Sequence, residues 1–316
     1  MKRYIFILIG VLSITSTMKM EAQEEGKVSI NAVIVDEIPV EAAHYLQTKM
    51  QQALVTGGAS DYGYTERFVM TAKINVTQKD IAPTTPARIS QKLEITFFIG
   101  DVVANKLYES CSLSVVGIGT NETKSFISAF QKINARHPEL QAMITAAKKK
   151  IVDYFTQNCH AILANAGTLA SMEQYEEAIY QLMTVPNTCE DCYKKCQQQA
   201  AVYYHKQINN ETMDLLNKAR TEWLRNPTAE GATVVADILG RSNPRSSYYS
   251  EVVKFRNSVS AKLQADARRE WQLKIKQYED SQAFKRSIVE GCRDIGMAWA
   301  KNQPTTIYKS IIRSWC

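Results

Sequence analysis

The sequence predicts an α+β N-terminal domain followed by an all-α domain of helical hairpins with a long C-terminal helix. Three observations predict it. Between Arg67 and Val116, three stretches alternate apolar and polar residues with a period of two, the pattern of half-buried strands. The connections between them are short turns, which join antiparallel neighbours. After Pro138 the apolar residues recur at helical spacing almost to the end of the chain. The predicted N-terminal order is β-α-β-β-β-α with a mostly antiparallel sheet.

The 316 residues suffice for two domains with real cores, and the hydrophobic and charged fractions, 45% and 22%, are those of a folded globular protein. Net charge is +6, spread along the chain. No Arg-rich arm with interleaved aromatics occurs, so no nucleic-acid partner is expected. Lys148-Lys149-Lys150, the densest basic cluster, reads as a solvated helix face. At the N-terminus, Lys2 and Arg3 precede an apolar run from Tyr4 to Ile14, too short to span a bilayer. Met20-Glu21-Ala22-Gln23 follows, with a cleavage site after Ala22. This is a signal peptide pattern, and no cysteine follows it to form a lipobox. The expectation is export to a periplasm or beyond the cell, with no transmembrane segment. The chain then divides into a leader (1–22), an α/β domain (23–137), a helical region (138–245), and a long helix with a docked tail (246–316).

Lys27 to Val35 is apolar on both faces and predicts a central strand. Pro39 opens a helix with Ala43, Leu46, Met50, Ala53 and Leu54 on one stripe, ended by Gly57-Gly58. Residues 59 to 66, with Tyr62 and Tyr64, read as a loop. Arg67–Thr77, Ile89–Ile99 and Lys106–Val116 are the three alternating strands, with a turn at Pro83-Thr-Thr-Pro86 and another at Asp101–Asn105. Leu107, Cys111, Leu113 and Val115 share the apolar face of the last strand, opposite Tyr108, and Cys111 reads as a buried free thiol. The polar residues predict one sheet face under helices and one in water. Gly117-Ile118-Gly119 lacks the third glycine of a dinucleotide site and reads as a strand-to-helix turn, with Thr120 or Asn121 capping the next helix.

Pro138 starts a helix whose apolar period continues through about residue 170, coupling the two halves rigidly. Thr188 and Asp191 form a cap pair for a helix ending near Ile208-Asn209-Asn210. Further helices run from Glu211 to Arg225 and from Ala229 to Leu239. Nothing forbids one helix from Ser246 to Lys301, about 80 Å long. Its middle, Ala267 to Ala283, is highly charged, and a break or exposed stretch belongs there. Pro304 ends it, and Ile307, Tyr308, Ile311, Ile312 and Trp315 form an apolar tail that should dock back.

Two resemblances add to these readings. Tyr175-Glu176-Glu177-Ala178-Ile179, with Leu169 and Ala170 before it and Pro186 after it, resembles the second helix of a tetratricopeptide repeat. In that family an aromatic, a small alanine and an aliphatic residue seat one helix on its neighbour. The resemblance covers one repeat and implies a tetratricopeptide-like hairpin. The element order over residues 27 to 135 is similar in topology to small α/β domains of bacterial envelope-assembly factors: curli-secretion lipoproteins, penicillin-binding-protein activators and the TolB N-terminal domain. That resemblance implies a non-catalytic, protein-binding role in the cell envelope.

The chemically pointed residues are the cysteines. Seven is odd, so at least one is free or pairs with another chain. In an exported protein Cys159, Cys189, Cys192, Cys196, Cys292 and Cys316 are disulfide candidates. Cys189, Cys192 and Cys196 stand at i, i+3 and i+7 and share a helix face. The leading expectation is a bridge from this face to Cys159, worth about 3 kcal/mol in the chain-entropy model. Cys292 is the nearest partner in sequence for Cys316. The alternatives are zinc on three thiolates plus His160 or His205, and redox chemistry at Cys189-Glu-Asp-Cys192. The four histidines, His44, His137, His160 and His205, lie in no recognisable catalytic setting, and Asp36 and Glu37 end a strand without an evident partner. No enzyme, cofactor or bound metal is expected. The expected function is an exported scaffold that binds a protein partner. The alternative is a thiol/disulfide or zinc protein centred on Cys189, Cys192 and Cys196.

Overall fold

The structure is a computed structural model and describes residues 28–59, 67–280, 287–303 and 305–315. The leader (Lys2, Arg3, Tyr4 to Ile14, Ala22), Tyr62, Tyr64, Pro304, the side chains of Ile307 and Tyr308, and Cys316 lie outside the described residues.

Four strands form one sheet in the order β1 (Asn31–Ala32), β2 (Phe68–Ala82), β3 (Arg88–Asp101), β4 (Lys106–Gly119). β1 is parallel to β2, to which α1 (Val40–Thr56) connects it, and the other pairs are antiparallel. This is the expected mostly antiparallel sheet. β1 is an edge strand, however, and not a central one. Its run is apolar on both sides because both faces are covered. Val28, Ile30 and Ala32 face the core, while Val33 and Val35 meet Ile311 and Ile312 of α11 (Thr305–Trp315). A continuous apolar run reports covered faces and says nothing of how many strands lie alongside.

α1, α2 (Glu122–Gln131) and α3 (Pro138–Gln157) cover one sheet face. Phe68, Met70, Leu93, Ile95, Phe97 and Ile99 pack there against Leu46, Met50, Phe126, Phe130, Ile144 and Phe155. The opposite face carries polar pairs such as Thr96 Oγ1 and Ser112 Oγ at 2.7 Å. It is not wholly wet, because α11 docks on its β1–β2 end and Trp315 Nε1 donates to Asn105 Oδ1 at 3.1 Å. On β4 the predicted parity fails at one point. Leu107 is 41% exposed and Tyr108 is buried, because a bulge between Ile99 and Gly100 inserts Tyr108 as the extra residue. Gly117 and Gly119 are the last residues of β4, paired with Gln91 and Ile89, and not a turn. α2 lies so close over them that a Cβ at either position would overlap the Ser125 backbone. Asn121 caps α2, its Oδ1 accepting from the Lys124 N–H at 2.8 Å.

The helical run after Pro138 breaks at Asn158, whose N–H and side-chain amide both donate to the Tyr154 carbonyl. α4 (Cys159–Ser171) starts anew there, so the expected continuous helix to about residue 170 is two helices. α4 and α5 (Tyr175–Met183) form a helical hairpin. The Glu173 and Gln174 N–H groups donate back to Ala170 and Leu169, with Glu173 at φ 62°, a Schellman stop.

The long helix of the chain is α6 (Glu190–Arg225), 36 residues without interruption. The expected break at Ile208–Asn210 does not occur. Asn209 stays helical and uses its Oδ1 to accept from Ser246 Oγ and the Ser247 N–H, anchoring the next loop. Asparagine is only a weak helix breaker, and an outside partner for its amide removes even that tendency. The Thr188 cap is also absent: Cys189 occupies the N-cap without a side-chain hydrogen bond to the first turn. α7 (Ala229–Leu239) follows. The C-terminal stretch is three helices: α8 (Tyr249–Lys262), α9 (Ala265–Glu279) and α10 (Ile288–Asn302). As expected, the charged stretch from Ala267 is mostly exposed, and α9 ends within it at Glu279. α10 packs against α5, where Gly296 lies on the Tyr180 backbone.

Two large hydrophobic cores result among the described residues, beside the small cluster under α11. The larger runs from the sheet through α3 to the α4, α5 and α6 contacts and takes in Cys292. The smaller joins the far end of α6 (Leu216, Trp223) to Val235 and Leu239 of α7, Val252 of α8 and Trp271 of α9. No helix among the described residues is long and apolar enough to cross a membrane.

Candidate functional site

The cysteine cluster lies where α4 meets α6. Cys159 is the first residue of α4, and Cys192 and Cys196 are one turn apart on α6. The structure joins Cys159 to Cys192 in a disulfide across a sequence separation of 33, with a Cα–Cα distance of 5.6 Å. The Cys196 thiol is fully buried and lies 3.9 Å from Cys192 Sγ. All three sulfurs fall within 4.8 Å of one another.

Cys189 does not join them. As the N-cap residue it precedes the helical turns, so the i, i+3, i+7 face begins only at Cys192. Its Sγ points to α3 and lies 3.6 Å from the Val152 carbonyl oxygen. The Cys189-Glu-Asp-Cys192 pair is therefore no dithiol. Cys292 is a buried free thiol on α10, packed into the larger core, and Cys111 is a half-buried free thiol against the same core.

Thiol exchange needs a thiolate. Burial pushes the Cys196 thiol up to about 11. Such a thiol is ionised in about one molecule in ten thousand at pH 7. Burial likewise raises Cys189, and takes Cys111 and Cys292 to about 11. No described histidine or carboxylate joins the three sulfurs as a fourth donor, and His160 is exposed on α4. Structural zinc requires four closed positions. These residues do not fit it.

A second fastening joins the sheet to α3 and α5, and the sequence did not signal it. Arg67 reads as a solvent-facing residue of β2. Its side chain is instead buried, with Nε donating to Asp101 Oδ2 at 2.8 Å and Nη1 to Thr184 Oγ1, the C-cap of α5, also at 2.8 Å. The guanidinium lies 4.7 Å from the Phe155 ring centre on α3. Asp101 Oδ1 accepts from the Val103 and Ala104 N–H groups, so the same carboxylate shapes the β3–β4 turn. One arginine thus ties sheet, α3 and hairpin together. Parity along β2 predicts exposure here, and only the approach of α5, over a hundred residues later, reverses it.

Asp36 and Glu37 have structural partners. Asp36 accepts from the Glu37 and Ile74 N–H groups, and Glu37 pairs with Arg313 at 3.8 Å. His44 is exposed on α1, His137 precedes α3, and His205 lies edge-on to Tyr204.

No family model matches the chain, and no curated protein sequence matches it. Among solved structures, the chain is similar over 39% of its length to 83% of a candidate lipoprotein from Caulobacter crescentus, at 12% identity and a TM-score of 0.22. It is similar over 40% of its length to 88% of a minor lipoprotein from Acinetobacter baumannii, at 16% identity and a TM-score of 0.20. Likeness at that level carries no assignment of fold or role.

Proposed function

We propose that this protein is an exported, non-catalytic scaffold of the bacterial cell envelope that binds another protein, in the assembly of an envelope or surface structure. One observation carries the reading: the helical hairpin is fastened on two sides, α5 to the sheet and α3 through the buried Arg67, and α4 to α6 through the Cys159–Cys192 cystine. A joint of that kind sets an angle between two surfaces. The leader-like residues 1–22 support the compartment. Affinity capture from envelope extracts with the full chain tests the reading, and recovery of no specific protein over a control bait sinks it.

The rival class is a thiol protein centred on the cysteines. The 3.9 Å approach of Cys196 to Cys192 favours it. Attack by Cys196 on Cys159 Sγ would form a Cys159–Cys196 bond and release Cys192, conserving electrons and leaving α4 bonded to α6. Thiol titration with metal analysis separates the two classes. The scaffold reading expects Cys196 to stay unreactive in the native protein, with no stoichiometric zinc. Rapid labelling of Cys196 favours the rival.

A further inference from the structure

We propose that a pocket between α5, α6 and α10 receives an arginine side chain of the protein partner, an inference that rests on the protein-binding reading and names its chemistry. The pocket holds about 280 Å³ and is lined by Glu173, Tyr175, Glu176, Glu177, Gln207 and Trp299, and none of its lining residues is basic. That volume falls below the roughly 300–1,000 Å³ of drug-sized sites and suits one side chain. The acidity is local, since the chain as a whole carries +6. No ion pair among the described residues uses Glu173, Glu176 or Glu177.

Gln207 supplies the independent observation. It is only 8% exposed. Its amide nitrogen donates to Glu176 Oε1 at 3.3 Å and to Glu211 Oε1 at 2.9 Å. Those two carboxylates accept only, so they fix which end of the amide is nitrogen. The carbonyl oxygen is left buried without a partner. A buried acceptor beside unneutralised carboxylates calls for a ligand that donates hydrogen bonds and carries positive charge. A guanidinium fits better than an ammonium. Its planar fork serves several acceptors at once, and its face stacks on aromatic rings. Tyr175 and Trp299 provide the rings, and Trp299 is steadied by Tyr180, with centroids 4.9 Å apart. Glu173 adds its carboxylate from a left-handed backbone position, where glycine is the usual residue.

The test is an NMR titration of the full chain with Ac-Gly-Arg-Gly-NH2, following the Trp299 indole N–H, assigned by Trp299→Phe among the four tryptophans. Lysine and citrulline tripeptides run alongside, citrulline being the neutral isostere of arginine. The expected result is a saturable shift with arginine, with Kd on the order of 1 mM, that is weaker with lysine and absent with citrulline. The double variant Glu176→Gln/Glu177→Gln keeps side-chain shape at partly exposed positions, and its fold is checked by circular dichroism. It should lose affinity about tenfold or more, and Gln207→Leu should weaken binding independently. No saturable shift with arginine, equal shifts with arginine and citrulline, tighter binding of lysine, or unchanged affinity in the double variant each overturn the proposal. A partner captured equally by wild type and double variant overturns the pocket alone. Failure of both to capture any partner removes the protein-binding reading beneath it.

Discussion

The core beneath the sheet and the core at the far end of α6 share one helix but are held together by different means. In the first, several layer contacts are fastened by something besides apolar packing. The cystine joins α4 to α6, Arg67 joins β2 to β3, α3 and α5, and α11 folds back over the second sheet face. The second core has tryptophans and aliphatics from four helices, and the ion pairs between those helices each keep at least one partner well exposed. Arg220 meets Glu251 at 3.2 Å, and Asp237 accepts from Lys274 at 2.6 Å and Tyr278 at 2.7 Å. Exposed pairs of this kind contribute about 0–1 kcal/mol each. The comparison teaches where this molecule fixes its geometry: where the hairpin meets the sheet and α6, beside the pocket proposed for a partner. The smaller core is expected to open first.

The largest effect should come from the buried ion pair. Asp101→Ala leaves the Arg67 charge buried without its partner and strips two turn N–H groups of their acceptor. It should cost about 3–5 kcal/mol in urea unfolding. Loss below 1 kcal/mol would mean the joint does not depend on this pair. Replacing both Cys159 and Cys192 by alanine removes a bridge spanning 33 residues. The expected cost is about 3–4 kcal/mol in the chain-entropy model, read in the transition of the larger core. A shift confined to the smaller core would break the comparison. Leu239→Ala empties a fully buried site in the smaller core. It should cost about 3 kcal/mol and separate that core's transition from the other. A single coincident transition by fluorescence and circular dichroism would show instead that the two cores unfold as one. Glu173→Gly relieves the left-handed position that stops α4 and should stabilise the larger core by about 1 kcal/mol, while removing one carboxylate from the pocket. No gain in stability would mean the Glu173 backbone is not strained.

Much of this fold was legible in the sequence because it rests on periodicity. The three long strands, the capped helix after them and the helix opening at Pro138 follow from local pattern and cap chemistry. Three of the misreadings share a cause, which is that the deciding contact lies far away in the chain. β1 reads as central because α11 covers its second face. Arg67 reads as exposed because nothing near it foretells Thr184. Asn209 reads as a stop because its partners, Ser246 and Ser247, come 37 and 38 residues later. At the site, the spacing of Cys192 and Cys196 placed both on one face with Cys159 within reach. It could not show that Cys189, sitting at the N-cap, turns to α3. The pocket was invisible because Gln207 and Trp299 belong to helices whose approach is set by the return of α10.

The central claim is that the cysteine cluster works by holding geometry and not by thiol chemistry. The most direct measurement compares partner capture from envelope extracts by wild type, by Cys196→Ala, and by the Cys159→Ala/Cys192→Ala pair, with the disulfide followed by mass spectrometry. Cys196→Ala removes the one thiol placed to attack the bridge and keeps the bridge itself. The expected result is undiminished capture by Cys196→Ala and weakened capture by the bridge-less pair. Loss of capture by Cys196→Ala with the Cys159–Cys192 bond intact would contradict the account and place the function in thiol exchange.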